Sequence, residues 1–157
     1  MSSKRINILK KQISQLETHI PLIDKENSKV SKSTVGWQLD HALKVFNLTS
    51  AWTENSNPEN YKRKFNFWRS ILFPLGYFPR GRVRAPKVTQ PPSVILIEDL
   101  KSQIQAARTH IENLNKLPKT AYFEHFIFGK LSKKQTFRFL QMHTHHHLKI
   151  INEILKK

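Results

Sequence analysis

Apolar residues recur at intervals of three and four positions in four long stretches of the chain, which is the spacing of amphipathic α-helices. The first stretch covers about residues 3–23, and the second begins after Ser33, a residue type that often caps a helix N-terminus. The third covers about residues 93–116, and the fourth begins with Ser132 and Gln135, which have the spacing of a capping box. The pattern therefore predicts four long helices that bury their apolar faces against one another.

Polar, proline-rich and aromatic segments separate the four stretches. Residues 24–33 are polar and predict a loop, whereas residues 59–73 predict a shorter aromatic helix. Residues 74–92 contain five prolines and the basic run 80–87, so we expect a long crossover there rather than a helix. Residues 119–131 predict an aromatic connector, and no β-hairpin is expected in it.

Four long helices and one long crossover predict an all-α protein, a four-helix bundle whose crossover joins the second and third long helices. The chain has 157 residues, the size of one ordinary domain, so we expect residues 1–157 to form a single domain. Within the bundle we expect Trp37 and Trp52 in the core and Asp40 at the surface. The aromatic segment 61–78 is apolar enough to be either core or a dimer face.

The composition excludes several kinds of site, whereas the charge leaves the kind of partner open. The chain has no cysteine, so disulfides, thiolate metal ligands and cysteine nucleophiles are all excluded. No apolar run reaches the ~18–20 residues of a membrane-spanning helix, and we expect a cytoplasmic protein without a membrane partner. The net charge is +16, with 27 Lys and Arg against 11 Asp and Glu. This charge fits attraction to nucleic acid or to an acidic partner, and it also fits a solvated basic surface.

The histidines carry the strongest chemical signal in the sequence. Eight are present, and at ~100° per residue His143 and His147 face the apolar stripe of the last helix. His146 falls on the flank of that stripe, and His145 points away from it. The spacing of four residues lets two imidazoles reach one ion. His41 lies on the inner stripe of the second helix, so it is the candidate for a third ligand.

Three inward imidazoles predict a divalent transition metal, because neutral imidazole suits Zn, Ni, Cu and Fe. Three protein ligands leave at least one coordination position open, as in catalytic rather than structural sites. The last helix lacks the adjacent glutamate of the metalloprotease motif, so a protease is not indicated. A hydrogen-bonded histidine cluster without metal, or a surface tract that only sequesters metal, would give the same composition.

Several segments also resemble a known superfamily. Segment 35–43 (VGWQLDHAL) resembles the second-helix histidine motif of the DinB-like (YfiT-like) superfamily of metal-dependent proteins, and segment 143–147 (HTHHH) resembles its terminal-helix motif. Segments 79–86 (PRGRVRAP) and 125–131 (HFIFGKL) are similar to a member family of unknown function within that superfamily. The resemblance covers most of residues 33–155.

The resemblance implies a four-helix bundle with an up-down-down-up connection and a three-histidine site for Ni or Zn at one end. The residues that carry over are His41, His143 and His147. Some members are thiol-dependent transferases that open small electrophiles with a low-molecular-weight thiol such as bacillithiol or mycothiol, and a homodimer is expected. Other members have no assigned activity, so the resemblance alone does not fix a reaction.

Four further residues are candidates for the mouth of the site. His125 belongs to the aromatic connector. It either borders the metal site, where it could act as a general base, or it only packs among phenylalanines. Arg80, Arg82 and Arg84 of the crossover are candidates for an anion clamp, and the alternative is a solvated basic loop. Two other functions also remain open: a basic module that binds nucleic acid or an acidic partner, and a non-catalytic protein in which the metal is structural.

Overall fold

The computed structural model describes residues 3–80 and 86–156, and this part of the chain is mostly helical. It contains five α-helices: α1 (Ser3–Thr18), α2 (Val35–Glu54), α3 (Phe67–Leu75), α4 (Ile97–Lys116) and α5 (Lys133–Leu155). Three short 3-10 helices and two short strands, β1 (Tyr122–His125) and β2 (Gly129–Ser132), complete the regular structure of the described residues. In the same residues, no helix has both the length and the apolar character needed to cross a membrane.

Local sequence signals account for the ends of the long helices. Pro21 lies just beyond α1, where the helix gives way to a 3-10 turn at Ile20–Leu22 instead of continuing to residue 23. The cap of α2 is Thr34, one residue later than predicted, and its hydroxyl accepts a hydrogen bond from the Trp37 amide at 3.2 Å. The capping box at the start of α5 is confirmed: the Ser132 amide donates to the Gln135 side chain at 3.0 Å.

The aromatic connector forms a β-hairpin, so the prediction of an irregular segment was wrong. β1 and β2 pair antiparallel, with Phe123 opposite Leu131 and Glu124 opposite Lys130. Phe123 and Leu131 are buried, whereas Glu124 and Lys130 are not. This alternation is typical of strands with one covered face. Each strand has only four residues, so this alternation is too short to stand out from the surrounding aromatic residues.

The four long helices share one core. α1 packs against α4 and α5, and α2 packs against the same two helices. The largest fully buried side chains of these helices are apolar: Leu9, Ile13, Leu16, Leu39, Leu43, Phe46, Leu100, Ile104, Ile111, Leu114 and Phe137. Leu131 of β2 is also fully buried. This packing holds α2 and α5, the helices that carry the predicted metal ligands, side by side.

The short helix α3 lies at the surface and presents an apolar face to solvent. It begins at Phe67, later than predicted, because the Asn66 side chain caps it by accepting from the Arg69 amide at 2.9 Å. Its inner side is held by Arg69, which donates to the Phe128 carbonyl at 2.9 Å. The large side chains at 40% exposure or more in and beside α3 are Phe65, Phe67, Trp68, Ile71, Leu75 and Tyr77.

Trp52 does not belong to the core, contrary to the prediction. Its ring is 48% exposed and stacks on Phe123 of β1, with ring centroids 5.6 Å apart. The partner of Trp52 is therefore the hairpin at the edge of the fold rather than another long helix.

Candidate metal centre

The folded chain brings His41 of α2 together with His143 and His147 of α5. Each imidazole offers one nitrogen, and the three nitrogens all lie within 4.8 Å of one another. Nitrogens bound to one ion at ~2.1 Å lie ~3–4 Å apart, so the cluster could hold a metal ion with small side-chain adjustments. The pairing of His143 and His147 follows from their one-turn spacing on α5, and α2 supplies the third ring across the helix interface.

Hydrogen bonds fix which nitrogen is free on two of these rings. His41 Nδ1 lies 2.8 Å from the backbone oxygen of Thr89, and His147 Nδ1 lies 2.7 Å from Gln38 Oε1. Both oxygens can only accept, so each Nδ1 carries the hydrogen and each Nε2 keeps its lone pair. The Gln38 amide is itself oriented by its Nε2, which donates to Ser31 Oγ at 3.4 Å. This is how metal-binding histidines are usually supported, so the donor set fits a divalent transition metal.

Burial keeps the three rings neutral near pH 7. It lowers the pKa of His41, although the hydrogen bond to Thr89 and the charge of Asp40 partly oppose it. Burial, followed by the neighbouring imidazoles, holds the pKa values of His143 and His147 well below the usual 6.5. Because a metal competes with protons for imidazole, ligands that stay neutral are ready to bind it without first losing a proton.

Aromatic rings line the cluster. Trp37 is half-buried and stacks on His41 with centroids 5.1 Å apart, so its ring borders the site instead of filling the core as predicted. Phe139 stacks on His143 at 5.7 Å, and Phe78 meets the same ring edge-on at 6.4 Å. Apolar walls of this kind exclude water and strengthen the electrostatic interactions of any ion or ligand between them.

Asp40, next to His41 in sequence, is buried rather than at the surface, so that prediction was wrong. Its carboxylate accepts from Gln103 Nε2 at 2.8 Å and pairs with Lys44 at 2.7 Å. The partners come from α4 and from one turn further along α2, and a helical angle calculated on α2 alone does not reveal the approach of α4. The carboxylate therefore belongs to the interface of α2 with α4.

His125 is the last residue of β1, directly before the hairpin turn, and it is not one of the three clustered rings. Its Nδ1 accepts hydrogen bonds from the Ile127 amide at 3.0 Å and from the Phe128 amide at 3.3 Å. Its ring packs against Phe139 with centroids 5.0 Å apart, and Phe139 in turn stacks on His143. The structure thus places His125 one aromatic ring away from the candidate metal centre.

Of the three arginines predicted at the mouth, only Arg80 is described, and Arg82 and Arg84 lie outside the described residues. Arg80 pairs with Glu153 of α5 at 2.7 Å. It also lies close to His146, whose pKa is lowered to about 4 by burial first and by the Arg80 charge second. Arg80 is thus near the histidines but already neutralised by a carboxylate.

Two residues that orient the rings were missed from sequence. Gln38 lies three positions before His41 on the same face of α2, and this spacing is a signal that could have found it. Thr89 contributes only its backbone oxygen, from a 3-10 turn in the crossover at Lys87–Thr89, and no side-chain pattern marks it.

These observations define a mostly helical protein with a candidate three-histidine metal centre. Residues 12–154 match the family described as "Protein of unknown function (DUF1569)", and the chain belongs to this family. No curated protein matches the chain. No solved structure matches it either.

Proposed function

We propose that this protein is a metal-dependent enzyme in which His41, His143 and His147 would hold Ni or Zn, with His41 and His147 binding through Nε2. The observation that carries the proposal is the pair of oriented rings: the Nδ1 atoms of His41 and His147 are engaged with carbonyl oxygens in a cluster of three converging nitrogens. A histidine cluster without metal would need no common tautomer, whereas ligation by Nε2 does. The choice of Ni or Zn rests on the imidazole donors and on the resemblance to the DinB-like superfamily.

A divalent ion with three protein ligands would supply a Lewis acid with an open coordination position. The chain's own residues would set the environment of that position. Gln38 and the Thr89 carbonyl hold two imidazoles in place, and Trp37, Phe78 and Phe139 form apolar walls that limit access of water. Such a site suits a small substrate with an electrophilic centre.

For the reaction we propose transfer of a low-molecular-weight thiol to a small electrophile, with hydrolysis as the related alternative. The support is the resemblance of segments 35–43 and 143–147 to the DinB-like motifs. The packing of α1 and of α2 on the same two helices supports a four-helix bundle. For its connection we propose the up-down-down-up order that the resemblance implies. We further propose a single domain and a homodimer in the cytoplasm.

The metal site is tested by elemental mass spectrometry on untagged protein after loading with Ni or Zn and removal of free ion. We expect about one ion per chain in the wild type, and its loss in His41→Ala, His143→Ala and His147→Ala. His145→Ala is the matched control, because His145 is on the same helix but exposed, and it should keep the ion. A wild type that retains no ion after loading would refute the site.

Catalysis is tested separately on the metal-loaded protein. Conjugation of a thiol to monochlorobimane, followed by fluorescence, measures transfer, and release of nitrophenol from a nitrophenyl ester measures hydrolysis. We expect turnover that disappears with chelator and in His147→Ala. Bound metal without turnover, together with a large chelator-induced drop in melting temperature, would favour a structural ion instead. Nucleic-acid binding is the other alternative, and it would appear as an affinity that falls steeply with salt.

A further inference from the structure

The two backbone amides that point at His125 determine the chemical form of its ring. Ile127 N–H and Phe128 N–H both donate to Nδ1, at 3.0 and 3.3 Å. A nitrogen that accepts two hydrogen bonds cannot carry a hydrogen of its own, so the hydrogen of the neutral ring is on Nε2. A proton added to Nδ1 would face both donors, so protonation there would cost these two hydrogen bonds.

The surroundings also keep this ring neutral. Burial lowers the pKa of His125 to about 4. The imidazole stacks on Phe126 and on Phe128, with centroid distances of 4.6 and 4.7 Å. Near pH 7 the side chain is therefore a fixed donor through Nε2–H, and it does not serve as the general base considered from the sequence.

The His125 ring is separated from the candidate metal centre by one aromatic ring, Phe139. The Phe139 ring contacts His125 at 5.0 Å and His143 at 5.7 Å, and the charge of a protonated His125 would be felt at His143. Across residues 3–80 and 86–156, Nε2 of His125 makes no hydrogen bond to a protein acceptor. A partly buried N–H without a protein partner is costly unless a ligand or water accepts from it.

We propose that Nε2–H of His125 donates a hydrogen bond to an oxygen of the ligand bound at the three-histidine centre, which makes carbonyl and carboxylate compounds the preferred ligand class. This inference rests on the proposed metal site and adds a recognition element to it. The metal would take one end of the ligand, while His125 at the end of β1 would supply a neutral donor for an acceptor oxygen. A neutral donor favours such oxygens without attracting every anion in the way that a cationic side chain would.

The fixed tautomer is tested first, on the wild type without metal, by long-range ¹H–¹⁵N NMR correlation of the histidine rings near pH 7. We expect an unprotonated, hydrogen-bonded Nδ1 and a protonated Nε2 for His125, assigned by comparison with His125→Asn. A protonated Nδ1, or a cationic ring, would overturn the inference whatever the metal does.

Ligand recognition is tested with acetate on the cobalt-loaded protein, followed by the visible absorption of the cobalt. His125→Asn keeps an oxygen near the position of Nδ1 for the two turn amides and removes the Nε2 donor. We expect unchanged cobalt content and a Kd for acetate about 10-fold higher, the loss of one hydrogen bond. The control Phe126→Leu alters an exposed ring in the turn that follows His125, keeps the donor, and should leave the Kd unchanged.

Each outcome bears on a different claim. An unchanged acetate Kd in a His125→Asn protein that still binds cobalt overturns this inference alone. A wild type that binds no cobalt overturns the proposed function and this inference with it, while the NMR result on the tautomer still stands. If His125→Asn does not fold, the Nε2 resonance of the zinc-loaded wild type, assigned through its correlation with the backbone of His125, decides the question instead, because it should shift on addition of acetate and not on addition of chloride.

Discussion

Removal of the hydrogen bond behind His147 should weaken metal binding without touching a metal ligand. Gln38 is 3% exposed, and its Oε1 lies 2.7 Å from His147 Nδ1. Gln38→Leu keeps most of the side-chain volume but removes the only acceptor that this ring nitrogen has in the described residues. The imidazole would then be free to rotate and to place its hydrogen on Nε2, where the metal should bind.

The expected magnitude follows from what such supporting contacts contribute elsewhere. Loss of an outer hydrogen bond to a metal-binding histidine typically costs 10- to 100-fold in metal affinity. That range corresponds to about 1.4 to about 2.7 kcal/mol of binding free energy. The full burial of Gln38 and the short contact to His147 favour the upper half of the range, because water cannot replace the lost acceptor.

The assay is a competition titration of Zn²⁺ against a chromophoric chelator, for the wild type and each variant. Gln38→Glu should retain affinity, because its carboxylate can still accept from Nδ1. The control Gln12→Leu removes a buried amide of α1 that bonds the Gln141 carbonyl instead of a site histidine, and it should bind Zn²⁺ like the wild type. A Gln38→Leu protein that binds Zn²⁺ within twofold of the wild type would refute the reasoning.

Three further predictions concern the surface, the pH and the helix ends. The six large side chains in and beside α3 expose roughly 700 Å² together, if each has a total surface of ~200 Å². This area is close to the ~800 Å² that each partner buries in a standard interface. Trp68→Glu should therefore convert a dimer to a monomer in analytical ultracentrifugation, and a monomeric wild type would contradict this prediction. The pKa of His125 is about 4 in the folded protein, against 6.5 in the unfolded chain, so the unfolded chain binds the proton more tightly. Up to about 3 kcal/mol of stability should therefore be lost as the pH falls from about 6.5 to about 4. Urea titrations of the metal-free protein should show a smaller loss of stability in His125→Asn. Buried Lys133 donates to the Asn115 and Leu117 carbonyls at the end of α4. Lys133→Met should therefore lower the free energy of unfolding by about 2 kcal/mol and the melting temperature by roughly 4–8 °C. An unchanged melting temperature would show that water replaces the lost donor.

Helical periodicity located the candidate ligands because it fixes where a residue lies around its own helix. His143 and His147 are one turn apart, and His145 is exposed as the same geometry requires. His41 followed from its place on the stripe of α2, once two helices were assumed to face each other. These predictions needed only the angle per residue and the position of the apolar stripe.

The features that sequence missed depend on contacts between distant segments. The Thr89 carbonyl reaches His41 from 48 positions away. Asp40 is buried only because α4 brings Gln103 to it, and Trp52 finds its partner in a hairpin that was not expected. Such contacts are set by how the helices and the hairpin pack, and the pattern along a single element carries no record of them.

The central claim is that three imidazoles bind one ion, and X-ray absorption at the metal edge of the Zn-loaded wild type tests it most directly. For the wild type, we expect Zn–N distances of ~2.0–2.1 Å and scattering from the outer ring atoms of three imidazoles. If His147→Ala retains any ion, its spectrum should show the scattering of two imidazoles. A spectrum of the wild type with oxygen neighbours and no imidazole scattering would contradict the claim.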